Sequence, residues 1–208
     1  MRTLAVEARA AGRELATADA AARTQALHRM ADALDTHRGR IQRENAADVA
    51  AARARVEAGT MTAALAARLP LPDKKIDGLI AGLRTLADAS DPLGRLLRKT
   101  ELGDGLLLEQ RTVPIGVLLV IFESRPDALV QVAGLAVKSG NGLLLKGGKE
   151  AVRSNRVLHA VLTEALAPLS AATVGLVETR AQIAELLELD DVIDLVIPRG
   201  GNALVRHV

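Results

Sequence analysis

The chain has 208 residues, 49% of them hydrophobic, enough to bury one substantial core or one core with a helical appendage. Its 27 Lys and Arg against 25 Asp and Glu leave a net charge of +2, too weak a field to dictate a nucleic-acid or membrane partner. No cysteine, Trp or Tyr is present and Phe122 is the single Phe, which excludes disulfides, thiolate metal sites, thiol catalysis and aromatic stacking platforms within these residues.

The opening segment MRTLAVEARAAGRELA lacks the apolar run of a signal peptide, and no stretch reaches the ~20 apolar residues needed to span a bilayer. A soluble, cytoplasmic protein is expected. From Leu4 to Ala89 apolar residues recur at helical spacing, as in Leu27, Met30, Ala31 and Leu34, with charges between them. Asp19 is a candidate cap for a helix running to Thr36, Gly59 punctuates the next, and Pro72 with Asp73 opens another that ends near Ser90. Residues 1–94 thus read as a helical region, closed by Asp91, Pro92 and Gly94.

Residues 95–113 read as a β-hairpin, RLLRKTEL paired with LLLEQRTV, with Gly103, Asp104 and Gly105 as the positive-φ positions of its turn. Past Pro114 the pattern changes. GVLLVIF is a continuous apolar run, as a strand buried on both faces requires, and a helix is expected over 126–138. GLLLK, TVGLVE and DVIDLVIP read as further strands, with helices over 150–166 and 180–187 between them. Strands alternating with helices predict a parallel sheet with helices on both faces, a Rossmann-like α/β region over residues 114–208. The last segment, GGNALVRHV, reads as the start of another helix that stops before covering its share of the sheet.

Ligands of open parallel sheets bind beyond the carboxyl ends of strands, so FESRPD, KGGKE, VETR and PRGGN are the segments to inspect. KGGKE and PRGGN carry paired glycines, Gly147 with Gly148 and Gly200 with Gly201, ahead of a helix whose unpaired N–H groups attract anions. Lys146, Lys149 and Arg199 add positive charge there. The glycines equally suit tight turns without a ligand. The GNG at 140–142 precedes a strand, and GGKE lacks the Ser or Thr of a P-loop, so neither standard nucleotide motif is present. In FESRPD, Ser124 can donate a hydrogen bond and Arg125 can clamp a carboxylate or acyl phosphate; Arg125 can also simply pair with Glu123 or Asp127. His28, His37, His159 and His207 show no ligand spacing, and no metal site is assigned.

Together these segments carry a resemblance. VPIGVLLVIFESRPDALVQVAGLAVKSGNGLLLKGGKEAVRSNRVLHAVLTEAL, followed by IDLVIPRGG, resembles gamma-glutamyl phosphate reductase (glutamate-5-semialdehyde dehydrogenase), in particular the reductase half of bifunctional pyrroline-5-carboxylate synthases. The match runs from Val113 to Gly201 in long ungapped segments and is weaker in the helical half and the hairpin. The resemblance implies an aldehyde dehydrogenase-like fold that binds its dinucleotide without the usual glycine fingerprint. It implies that Lys146 reaches the adenosine ribose, that Lys149 suits the 2′-phosphate of NADP, and that Gly147 and Gly148 lie in the same cofactor turn. Pro198, Arg199, Gly200 and Gly201 fall where the pyrophosphate is held, and Ser124 with Arg125 on the substrate side. The implied reaction is NADPH-dependent reduction of L-glutamate 5-phosphate to the semialdehyde in proline biosynthesis. The hairpin resembles an oligomerisation flap, which implies a homo-oligomer, and association with glutamate 5-kinase is a further implied partnership.

The family's nucleophile is a cysteine in a separate catalytic domain, and this chain has none. No catalytic residue is therefore assigned, and the chain alone is expected to be inactive. Three readings remain open: a fragment or truncated product, half of a split enzyme, or a non-catalytic dinucleotide-binding or dimerisation module.

Overall fold

The computed structural model describes residues 1–200. Five helices come first: α1 (Arg2–Thr17), α2 (Ala20–Thr36), α3 (Arg38–Glu57), α4 (Ala63–Ala66) and α5 (Asp73–Asp88). Strands β1 (Leu96–Gly103) and β2 (Leu106–Arg111) form an antiparallel hairpin. The α/β part follows as β3 (Val117–Phe122), α6 (Pro126–Lys138), β4 (Gly142–Lys146), α7 (Val152–Leu166), β5 (Val174–Val177), α8 (Arg180–Leu187) and β6 (Leu195–Arg199).

Local chemistry accounts for most boundaries. Asp19 caps α2, accepting from the Ala22 N–H at 2.6 Å, and Pro126 occupies the first turn of α6, where its missing N–H costs nothing. Thr179 and Gln182 form a reciprocal capping box on α8. In the hairpin turn only Gly105 has a positive φ, +77°; Gly103, which ends β1, and Asp104 do not, contrary to their expected role.

All four strands β3 to β6 are parallel, in the order β5-β4-β3-β6. The chain steps outward from β3 through β4 to β5, then crosses to pair β6 with the other side of β3. The strand order therefore reverses between β3 and β6, the place where open α/β sheets admit ligands at their carboxyl edge. The period of two in β3 sorts its residues between two cores. Val117, Leu119 and Ile121 join Leu144 and Val177 against Ala5 and Ala8 of α1 and Ile183 and Leu186 of α8. Leu118, Val120 and Phe122 join Leu143 and Leu145 against α2, α5, α6 and α7. Coverage of both faces explains why β3 reads as an unbroken apolar run. The helices of residues 1–94 share these cores with the sheet.

One strand starts later than the alternation of DVIDLVIP suggests. Val192 and Ile193 turn back, their N–H groups donating to the Leu189 carbonyl at 3.0 and 2.8 Å, and both are buried against the α1 side. Asp194 then ends the turn: its carboxylate accepts from the Val117 N–H at 2.7 Å and from Arg9 at 2.9 Å. A side chain 77 residues away in sequence thus decides where β6 begins. The expected helix over 150–166 starts as a 3-10 turn, Lys149–Ala151, before α7 proper. Gly201 and the helix expected after it lie outside the described residues.

Candidate functional site at the strand ends

The register brings the sequence-selected residues to one edge. Ile121 on β3 is flanked by Lys146 on β4 and Pro198 on β6, and Phe122 lies beside Arg199. Ser124 and Arg125 follow directly, so Ser124, Arg125, Lys146 to Lys149 and Pro198 to Gly200 all belong to the carboxyl edge of the sheet.

The turn after β3 is unusual in its backbone. Ser124 has φ +47°, the single positive-φ residue other than glycine among the described residues, and is 2% exposed. A left-handed serine carries a steric cost of roughly 1–2 kcal/mol. Two hydrogen bonds offset it: the Ser124 N–H and hydroxyl both donate to Glu150 Oε1, at 2.6 and 2.7 Å. Pro126 disfavours helical geometry in the residue before it, and Arg125 is accordingly non-helical, at φ −141° and ψ 77°. Arg125 pairs with the buried Asp127 at 3.3 Å. Lys75 approaches the other Asp127 oxygen at the same distance, as an ionic contact without hydrogen-bond alignment.

The turn after β4 is packed from within. Gly147 and Gly148 leave room for the ends of two side chains: a Cβ at Gly147 would displace the Asn155 amide and one at Gly148 the Glu150 carboxylate. Gly148 itself has φ −65°, which any residue adopts. The start of α7, which the sequence offers as an anion site, is already occupied: Asp48 of α3 accepts from the Arg153 N–H at 3.4 Å and the Ser154 N–H at 2.7 Å. Two groups stay unmatched at this turn. Asn155 Oδ1 is buried without a hydrogen-bond partner, and Lys146 makes no ion pair among the described residues. Lys146 is half-buried, and that burial pushes its ammonium below the ordinary lysine value; nearby Glu150 acts in the opposite sense. Lys149 is exposed and likewise has no ion pair there.

The turn after β5 is satisfied internally, with Arg156 gripping Glu178 bidentately at 2.5 and 2.6 Å. At the end of β6, Arg199 and Gly200 are exposed. An apolar groove of 440 Å³ between α5 and α6, lined by Leu79, Leu83, Leu86, Val130 and Leu135, includes none of the strand-end residues. Among the described residues no group of three His, Asp or Glu side chains is placed to hold a metal ion. Two participants escaped the sequence reading. Glu150 could have been suspected as a carboxylate two residues after paired glycines; Asp48 gives no local signal, because its partner lies 106 residues away.

No family model matches the chain. Delta-1-pyrroline-5-carboxylate synthase B of Arabidopsis thaliana is 52% identical over 208 residues, all of this chain and 28% of that protein. The crystal structure of gamma-glutamyl phosphate reductase from Thermotoga maritima superposes with TM-score 0.92 at 34% identity, over 99% of this chain and 50% of that one. A NAD-dependent benzaldehyde dehydrogenase from Corynebacterium glutamicum shares the fold, at TM-score 0.69 and 20% identity, over 98% of this chain and 41% of that one. The chain thus spans half or less of the length of each of these relatives.

Proposed function

Because the chain is homologous over its whole length to the N-terminal part of gamma-glutamyl phosphate reductase and to pyrroline-5-carboxylate synthases, we propose that it is the cofactor-binding and substrate-facing part of an NADPH-dependent reductase of L-glutamate 5-phosphate. The reaction yields the 5-semialdehyde and phosphate, a step of proline biosynthesis. The observation that carries the reading is Lys146: a half-buried cation with no ion pair among the described residues, beside the orphaned Asn155 oxygen. These unmatched groups fit a ligand that brings hydroxyl and anionic oxygens to the turn.

In this reading Lys146 contacts the adenosine ribose, Lys149 the 2′-phosphate, and Pro198 to Gly201 the pyrophosphate. Gly147 and Gly148 shape the turn between the lysines. Since Asp48 fills the start of α7, charge at this turn comes from side chains and not from helix N–H groups. Arg125 faces the acyl phosphate, keeping donors beyond the one spent on Asp127; Ser124, buried with both its donors given to Glu150, bears on the substrate side only through the turn that carries Arg125. Bound NADPH supplies the hydride. A thioester route needs a thiol, and these 208 residues contain none, so a further polypeptide segment would provide it.

The absence of cysteine also supports a second reading, a dinucleotide-binding or dimerising module, or one half of a split enzyme. For partners, the hairpin is the candidate contact of a homo-oligomer. Its Leu97, Leu102, Leu106 and Leu108 are 56 to 63% exposed, and a lone two-stranded hairpin is marginal without something to pack on. Association with glutamate 5-kinase follows from the likeness to the synthases. We assign the chain to the cytoplasm; among the described residues no helix is long and apolar enough to cross a membrane.

Titration calorimetry of the folded chain with NADPH tests the reading. Binding that is weaker for NADH is expected, and no heat at millimolar NADPH would overturn it.

A further inference from the structure

Glu150 belongs to the turn after β4, yet its carboxylate is spent on the turn after β3. One oxygen, Oε1, takes both the N–H and the hydroxyl of Ser124, at 2.6 and 2.7 Å. The approach is built in: Oε1 fills the space a Cβ of residue 148 would need, so only glycine there admits it. On its own side Glu150 is rigidly held. The Ala151 N–H closes the 3-10 turn on the Gly148 carbonyl at 3.1 Å, and Ala151 is 1% exposed, packed with Ala52 and Leu69. On the far side sits the one left-handed serine of the described residues, a conformation that persists only where its surroundings over-determine it.

We propose that Glu150 is a positioning residue whose carboxylate locks the Ser124 turn to the Lys146–Ala151 turn, holding the substrate-side and cofactor-side residues in fixed relation. Without the carboxylate, both Ser124 donors lose their shared acceptor, and the residue relaxes out of the left-handed region, turning its hydroxyl and shifting Arg125. The cofactor-side turn in the same event loses these two hydrogen bonds to β3's exit, and Lys149, next in sequence to Glu150, loses its fixed place. The identity of the ligands rests on the function proposed above; the lock between the turns does not.

The test uses the 208-residue chain and the variants E150A, E150Q and S124A. Amide hydrogen exchange by NMR is read at Ala151, whose N–H belongs to the cofactor-side turn. We expect E150A to speed Ala151 exchange about ten-fold, as loss of both charge-assisted hydrogen bonds implies, and S124A, which keeps the backbone N–H bond, to speed it by less. E150Q keeps an acceptor oxygen and stays near wild type. NADPH titration gives the second readout: S124A, though outside the cofactor turn, weakens binding several-fold while E150Q does not. If E150A, which removes both bonds, leaves both Ala151 exchange and NADPH affinity unchanged, the lock is wrong. Failure of the wild type to bind NADPH would overturn the proposed function alone, and Ala151 exchange would still decide the lock. Should E150A not fold, S124A against E150Q decides it.

Discussion

Asp48 on α3 and Ser154 on α7 are joined by two hydrogen bonds of 2.7 Å, the Ser154 N–H and hydroxyl both donating to one carboxylate oxygen. Asn45, also on α3, donates to the Ser154 hydroxyl at 3.0 Å and to the Leu69 carbonyl at 2.9 Å. A helix start in the α/β part is thereby capped from the helical region. Removing the Asp48 carboxylate leaves the Ser154 N–H and hydroxyl buried without their acceptor. Asp48→Ala should therefore destabilise the chain by about 3 kcal/mol, and Asp48→Asn by less, in urea denaturation followed by circular dichroism. Equal midpoints for wild type and Asp48→Ala would contradict the capping role.

Lys149 is the residue that should set cofactor preference. Lys149→Glu places a negative charge where the 2′-phosphate is proposed to lie, so NADPH affinity should fall at least roughly ten-fold while NADH is little changed. Parallel calorimetric titrations with the two cofactors measure this. A uniform loss for both would move the 2′-phosphate elsewhere.

The depressed Lys146 ammonium gives stability a pH dependence with a definite sign. Its folded-state value lies below the ordinary lysine value because of burial, whereas the unfolded chain titrates at the ordinary value. Between the two, the unfolded state binds more protons, so stability contributed at this site rises with pH through that window. Wild type should gain on Lys146→Met as pH increases across it. Curves that stay parallel in thermal melts would show that Lys146 carries no such shift.

Turnover is expected only where a thiol is supplied. The purified chain with NADPH and L-glutamate 5-phosphate should show no absorbance change at 340 nm above the no-protein control. Measurable oxidation of NADPH dependent on the substrate would mean that another nucleophile among these residues does the work.

The exposed leucines of the hairpin make a last prediction. Leu106→Ser with Leu108→Ser removes apolar surface from β2 without touching either core, since both residues are more than half exposed. Light scattering after size exclusion should show a smaller species than wild type with an unchanged melting profile. An identical mass for both would remove the hairpin from the interface.

Sequence alone determined what depends on near neighbours. The Asp19 cap, the Pro126 start and the span of β4 follow from contacts a few residues apart, so spacing and residue type suffice. The parallel sheet was legible too, because burial on both faces imposes long apolar runs. Tertiary structure decided whatever depends on a partner far along the chain. Asp194 meets Val117 and so delays β6; Asp48 meets Ser154 and so withdraws a helix start from anion binding; Glu150 meets Ser124 and so holds a serine left-handed. In each case a carboxylate satisfies backbone N–H groups that the partner's own segment leaves open. Which carboxylate does so is fixed by how the strands and helices pack, a relation that no local pattern of residues encodes.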